Sequence, residues 1–364
     1  MKLTNADIIL EDGILHGTIA IEGERISYLS AETEDGIDLT GYYVLPGFVD
    51  NHSHGSGSHW FYSDPAEAAL WHLWEGTTSI HCSLWRNAPC YPYPKTYARI
   101  RKAKERAKNI RGVHMEGPYV DPHYGADAID EWPIRPEDYL AWMEAGKDLV
   151  DYWTLDPNLP GAREFAIEAQ RRNIRLGVCY SEVKPELLEE YMKYGLVIGT
   201  HILCGTGKAK PMFAGTYEPG SDEFVLVDDR MYAEVIADSL GGHVRPYYLK
   251  LIYKCKGPDR TILVSDCCAS GDTCGSDVNV INGELYGSRL TLSVAIRNMQ
   301  KHTGAGIVEL AKMASTTPAK AIGLLADRGS IAAGKVADLV ILDRDLMVKG
   351  VILGGEWVRR ELAG

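Results

Sequence analysis

The chain has 364 residues, 45% hydrophobic and 24% charged, with a net charge of −12 at neutral pH. That balance suits one large globular domain with a smaller appendage. The acidity argues against sequence-independent nucleic-acid binding, which needs clustered Lys and Arg. Eight cysteines without a Cys-x-x-Cys pair indicate neither a zinc ribbon nor a disulfide framework, so free thiols in a reducing cytoplasm are expected.

The first residues, MKLTNADIIL, are too short and too polar for a signal peptide. No apolar stretch reaches the ~18 residues of a membrane span. Residues 1–42 read as short strands, with ADIILEDG, HGTIAIEGERISYLS and GIDLTGYYVLPG alternating apolar and polar residues around Asp-Gly and Glu-Gly turns. The C-terminal segments GSIAAGKVADLVILDRD and MVKGVILGGEWVRREL behave alike. Both ends together predict a small β-sandwich, residues 1–46 and 325–364, clasping a central domain, 47–324.

The middle alternates. Apolar runs at 43–50, 77–82, 112–116, 151–155, 174–180, 196–201, 232–239 and 261–266 are separated by helical patterns at 65–75, 95–109, 136–146, 161–172, 184–194 and 246–256. The basic stretch from Lys95 to Arg111 has the spacing of a helix with a solvated face. Eight strands alternating with helices predict an α/β fold, a parallel (β/α)8 TIM-like barrel. A doubly wound sheet is the competitor, but no glycine-rich phosphate fingerprint follows the first run.

Catalysis in such a barrel sits at the carboxyl ends of the strands, so the residues closing each run matter. His52 and His54 close the first, His81 and Cys82 the second, Glu116 the third, Cys179 and Tyr180 the fifth, Thr200 and His201 the sixth, and Ser265 and Asp266 the eighth; the seventh leads to His243. The chain has 11 histidines, and five lie at these ends. Residues i and i+2 of a strand face the same side, so His52 and His54 can meet one metal ion. Gly-Pro after Glu116 stops the strand and exposes the carboxylate. A carboxylate at the end of a buried parallel strand, as at Asp266, is costly unless paired or metal-bound. For His201 a satisfied core histidine competes with ligation. For His243 the competitor is a simple Gly-Gly turn, and for His81 the roles open are extra ligand or substrate contact. Trp60, Phe61, Tyr62, Trp85, Tyr91 and Tyr93 crowd the first strand ends, as sugar-stacking faces or as loop packing.

With these residues the chain resembles the amidohydrolase superfamily, and within it the N-acetylglucosamine-6-phosphate deacetylase family. LPGFVDNHSHG is similar to the superfamily's first-strand motif, and GVHMEGPYVDP to the deacetylases' His-x-Glu-Gly-Pro signature. Gly199-Thr200-His201 matches the sixth-strand motif, KGPDRTILVSDCCASG the eighth-strand segment, and ASTTPAKAIGL with GSIAAGKVADLVILD the closing helix and sandwich strands. The resemblance implies that His52, His54, Glu116 and Asp266 surround a metal and that His201, with Glu116, serves a second position. It implies that Asp266 takes a proton from the attacking water and later gives it to the leaving amine, while His243 binds the substrate at the scissile carbonyl.

Four departures bear on the substrate. Tyr180 stands where the family has a second-position His, and Cys179 reaches that position only if the strand end is rotated. Cys204-Gly205-Thr206 replaces the Asn-Ala-Met that holds the sugar phosphate. Tyr217 replaces a phosphate-binding Arg, whose bidentate pairing a phenol does not reproduce. Asp127 replaces a substrate-binding His. Lys208 and Lys210 follow as possible cations from another direction, or as a solvated loop. The expectation is therefore a hydrolase of amide C–N bonds, a deacetylase of an N-acetyl amino sugar, holding one divalent metal per chain, Zn or else Fe, Mn or Co. A homodimer with a small-molecule substrate and no nucleic-acid or membrane partner is expected. Hydrolysis of a cyclic amide, deamination, and a non-catalytic metal- or ligand-binding homologue are the alternatives.

Overall fold

Each of the eight apolar runs contains a strand, and the eight pair in parallel, in chain order. They are β1 (Phe48–Ser53), β2 (Thr77–Trp85), β3 (Ile110–Glu116), β4 (Val150–Leu155), β5 (Arg175–Val178), β6 (Leu196–Gly199), β7 (Tyr232–Val235) and β8 (Thr261–Leu263). This is a computed structural model, described for residues 1–85, 90–125, 132–205, 210–269, 276–281 and 283–362. The predicted helices appear as Pro65–Trp74, Tyr93–Ala103, Pro136–Ala145, Ala162–Arg171, Pro185–Met192 and Pro246–Lys256. Four of these begin on proline, whose fixed φ and missing N–H suit the first helical position. The basic stretch covers most of Tyr93–Ala103, the loop after it and the first two residues of β3. Its Tyr97 and Ile100 are buried, while Arg101 and Arg106 pair with Asp148 and Glu67 on the outside.

β8 and β1 share no strand ladder, yet the barrel is nearly closed. The Asp266 amide donates to the His52 carbonyl at 2.9 Å, and the Ser265 amide to Asp50 Oδ1 at 3.3 Å.

The run at 43–50, expected as one strand, is two. Tyr43–Pro46 pairs with Leu339–Leu342 and with Lys2–Ile9; Phe48–Ser53 pairs with β2. Gly47 is the joint. A Cβ there would lie 2.1 Å from Thr78 Oγ1, so only glycine lets the chain cross so close to β2. The termini form one hydrogen-bonded sheet of eight strands with its own core, including Leu3, Ile8, Ile19, Leu339 and Ile341. The sheet folds over until its hairpin at Glu24–Ile26 bonds to Lys335 and Ala337, which gives the expected two-ended β domain. Two hairpins, Lys210–Phe213 with Thr216–Glu218 and Val278–Ile281 with Glu284–Ser288, were not apparent in the sequence. No helix among the described residues is long and apolar enough to cross a membrane.

Candidate metal centre

Strand ends bring the predicted ligands together. His52 lies within β1 and His54 just beyond it, with Nε2 atoms 3.4 Å apart. Glu116, the last residue of β3, sets Oε2 2.9 Å from His54 Nε2 and Oε1 3.6 Å from His52 Nε2. Asp266 Oδ1 stands 3.5 Å and 3.3 Å from the same two nitrogens. His201 Nε2 lies 2.9 Å from Glu116 Oε1. His52, His54, Glu116, His201 and Asp266 are all buried.

The backbone makes this convergence possible in a way a strand pattern does not show. Tyr180, His201, Leu203 and Asp266 have φ of +47°, +30°, +60° and +45°, a region that disfavours side chains other than glycine. At Tyr180, His201 and Asp266 the turn follows a strand that has just ended and swings the side chain back over the barrel mouth. Hydrogen bonds hold Asp266 there: its amide to the His52 carbonyl, and its carbonyl to the Ser288 amide at 2.8 Å.

The donor set fits a divalent cation. A neutral imidazole carries one N–H. His201 faces an acceptor at each nitrogen, the Cys204 carbonyl at 2.8 Å from Nδ1 and Glu116 at Nε2. His52 does likewise, with Glu234 Oε2 3.3 Å from Nδ1 and two carboxylates near Nε2. With the rings neutral, a bare lone pair faces a carboxylate oxygen, a repulsion that a bound cation relieves. Ligand atoms of His52, His54 and Glu116 all lie within 4.8 Å of one another, and nitrogen with oxygen donors suits Zn, Fe, Mn or Co. Burial alone would raise the Glu116 pKa, but the charges of His52 and His54 and the bond from His201 hold it well below the carboxylate range. Burial likewise depresses His52, and Glu116 and Asp266 outweigh it, raising it well above its ordinary value.

Behind the ligands lies a polar layer that sequence reasoning missed. Glu234, buried on β7, accepts from Asn51 Nδ2 at 2.8 Å and faces His52 Nδ1. His114 bridges Ser83 Oγ at 3.0 Å and Thr154 Oγ1 at 2.8 Å and stacks on Tyr152 at 4.0 Å. The available signal was a carboxylate inside an apolar strand, costly to bury without a partner.

The remaining predicted residues divide. His243 is fixed by Asp238, whose Oδ2 accepts from its amide at 2.9 Å and lies 3.0 Å from Nδ1; its Nε2 is buried without a hydrogen-bond partner among the described residues. Tyr180 lies over the cluster, its hydroxyl donating to Glu116 Oε1 at 3.2 Å. Gly205 makes room for it, since a Cβ there would lie 2.5 Å from Tyr180 Cε1. Cys204 contributes its carbonyl to His201. Cys179 corrects an expectation: its Sγ and ligand atoms of Glu116 and His201 all lie within 4.8 Å of one another. Alternation along β5 already points Cys179 inward, and it is Tyr180 that needs the left-handed turn. His81 is not brought here. β2 runs on to Trp85, so His81 is mid-strand, bonded at 2.9 Å to Asp151 near the amino end of β4. Tyr217 is exposed on a hairpin, and Lys210 lies on the strand beside it. Asp127 and Lys208 lie outside the described residues. Of the aromatics, Trp85 packs against His54 at 4.6 Å with Trp60 and Tyr62 around it, whereas Phe61 is buried in the core and Tyr91 and Tyr93 pack on Trp142.

Comparison with known proteins agrees with the motifs. The Amidohydrolase family model matches residues 258–358. The chain is 27% identical over 372 residues to the N-acetylglucosamine-6-phosphate deacetylase of Lysinibacillus sphaericus, spanning 96% of this chain and 92% of the relative. The crystal structure of the Thermotoga maritima deacetylase superposes with a TM-score of 0.85 at 28% identity, covering 99% of this chain and 100% of that one. The Mycobacterium smegmatis deacetylase in complex with N-acetyl-D-glucosamine-6-phosphate gives 0.84 at 27% identity, with 99% of both chains covered.

Proposed function

We propose that this chain, an amidohydrolase-superfamily protein resembling the N-acetylglucosamine-6-phosphate deacetylases in sequence and fold, is a metal-dependent hydrolase that removes the acyl group from an N-acetyl amino sugar. The observation that carries this is the convergence of His52 and His54 Nε2 with the carboxylates of Glu116 and Asp266. When bound, a divalent cation polarises the scissile carbonyl and acidifies water in the site.

His52, His54, Glu116 and Asp266 would hold one tight ion, with zinc the expected metal. Asp266 takes the proton of the attacking water and delivers it to the departing amine. Asp238 fixes the His243 ring, which contacts the carbonyl oxygen where negative charge grows. Tyr217, on an exposed hairpin, stands where the resemblance implies a phosphate-binding Arg, so the proposed substrate need not carry a phosphate. The chain divides into a terminal β domain, residues 1–46 and 325–364, and a catalytic barrel, 47–324, and the enzyme works in the cytoplasm as a homodimer.

The test is a panel of N-acetyl amino sugars with and without phosphate, scored for acetate. Ammonia release or ring opening without acetate would reject deacetylation. Asp266→Asn should lower turnover by about 10²-fold or more, the usual scale of a general acid–base group; an unchanged rate would remove Asp266 from the chemistry.

A further inference from the structure

Cys179 stands outside the roles assigned above. β5 ends at Val178, and Gly177 faces the barrel interior, where a Cβ would meet Thr200 Oγ1 at 2.6 Å and the Tyr152 hydroxyl at 2.7 Å. Alternation gives Cys179 the same direction. Its thiol is fully buried and makes no hydrogen bond among the described residues. It is also not part of an apolar cluster, unlike Cys82 and Cys90, which sit in the main hydrophobic core. Packing as a small hydrophobe, the common fate of a buried cysteine, therefore does not account for it. Its neighbours are a carboxylate and an imidazole, within 4.8 Å of its sulfur and of each other. A tetrahedral zinc ion with bonds of about 2.0–2.3 Å sets its ligands roughly 3.3–3.8 Å apart, so small side-chain rotations close the set.

We propose that Cys179, His201 and Glu116 form a second cation position with a thiolate ligand, weaker than the first and selective for thiophilic divalent ions. The family-like histidine is replaced by Tyr180, yet the position is not lost; the sulfur one residue earlier takes it over. His201 is oriented for this, because its Nδ1 bonds to the Cys204 carbonyl and leaves Nε2 toward Glu116. The position is the weaker because Glu116 is shared with the first site and its Oε1 already accepts from Tyr180. Thiolate favours Zn, Cd and Co over hard, oxygen-preferring ions such as Mg and Mn. The proposal rests on the first position being a metal centre, and the experiment separates the two.

The full-length protein, freed of metal by dialysis against a chelator, is titrated with Co2+ and followed by absorption. The first equivalent is expected to give only the visible bands of cobalt among nitrogen and oxygen ligands. The second is expected to add thiolate-to-cobalt charge transfer in the near ultraviolet. Cys179→Ser should lose that band and keep the first-equivalent spectrum. Manganese should stop at one equivalent in the unaltered protein, a result that needs no variant to fold. Two cobalt equivalents without the charge-transfer band, or a band that persists in Cys179→Ser, would overturn the second position while leaving the first intact. Failure to bind cobalt at all would overturn both. Acetate release by the one-equivalent form bears on the proposed reaction alone.

Discussion

Glu234→Gln tests whether the layer behind the ligands tunes the metal. Glu234 is fully buried, accepts from Asn51 and faces His52 Nδ1. As a carboxylate it accepts at both oxygens, so His52 carries its proton on Nδ1 and turns a bare Nε2 toward Glu116 and Asp266. Glutamine offers one acceptor and one donor. If its oxygen stays with Asn51, its NH2 faces His52 and draws the tautomer with the proton on Nε2, where the metal must bind. If it flips, two NH2 groups oppose each other in the interior. Either way one buried polar contact is lost or one tautomer is reversed, which costs about 1–3 kcal/mol. At 1.4 kcal/mol per decade that weakens metal binding roughly 10–100-fold. Titration against a competing chelator measures the affinity, and acetate release at saturating metal measures the chemistry. The expected result is weaker binding with most of the turnover recovered at high metal. Wild-type affinity, or a turnover defect that excess metal leaves unchanged, would refute the tautomer argument.

Three further outcomes follow from the geometry. Tyr180→His places an imidazole at the end of β5 and should raise the metal retained after dialysis from one equivalent to two, by elemental analysis. Gly205→Ala combines a left-handed φ of +70° with a Cβ against the Tyr180 ring; it should cost about 2–4 kcal/mol in chemical denaturation, falling to about 1 kcal/mol in a Tyr180→Ala background, where the clash is gone. His72 is buried against the Gly55 carbonyl at 2.7 Å, and burial lowers its pKa to about 4. Its unfolded value is near 6.5, so the unfolded chain binds the proton first, and about 3 kcal/mol of stability is lost as pH falls from 6.5 to 4. Denaturation midpoints of the wild type and of His72→Gln should converge across that interval by this amount; parallel curves would show that His72 is not the titrating group.

Much of the fold was legible because apolar runs and helical patterns alternate with a regular stride, and proline marks several helix starts. The candidate ligands were legible where side chains end a strand in a short pattern, as in His52-Ser53-His54 and Glu116-Gly117-Pro118. Other parts depended on backbone turns with no periodic signature. Tyr180 and Asp266 reach the site through positive φ, which residue type does not announce. Cys179 was expected to point away because the spacing to Gly199-Thr200-His201 put Tyr180 at the histidine position and strand neighbours face opposite sides, whereas alternation from Gly177 in fact favours the cysteine. His81 misled because the strand it lies on is longer than its apolar run. Glu234 acts through partners distant in the chain, Asn51 and His52, and only the closed barrel sets it beside them.

The bond from the Asp266 amide to the His52 carbonyl joins the last barrel strand to the first. Both residues that contribute it belong to the proposed metal site. On that proposal, loading the metal and closing the ring would be one event seen from two sides. A chain still lacking its eighth strand would have neither the proposed fourth ligand nor the seam, so an emerging polypeptide would hold an incomplete cage until the final strand is in place. Chelation should loosen first the join between β8 and β1, and amide exchange at Asp266 would report it before any other strand of the ring opens.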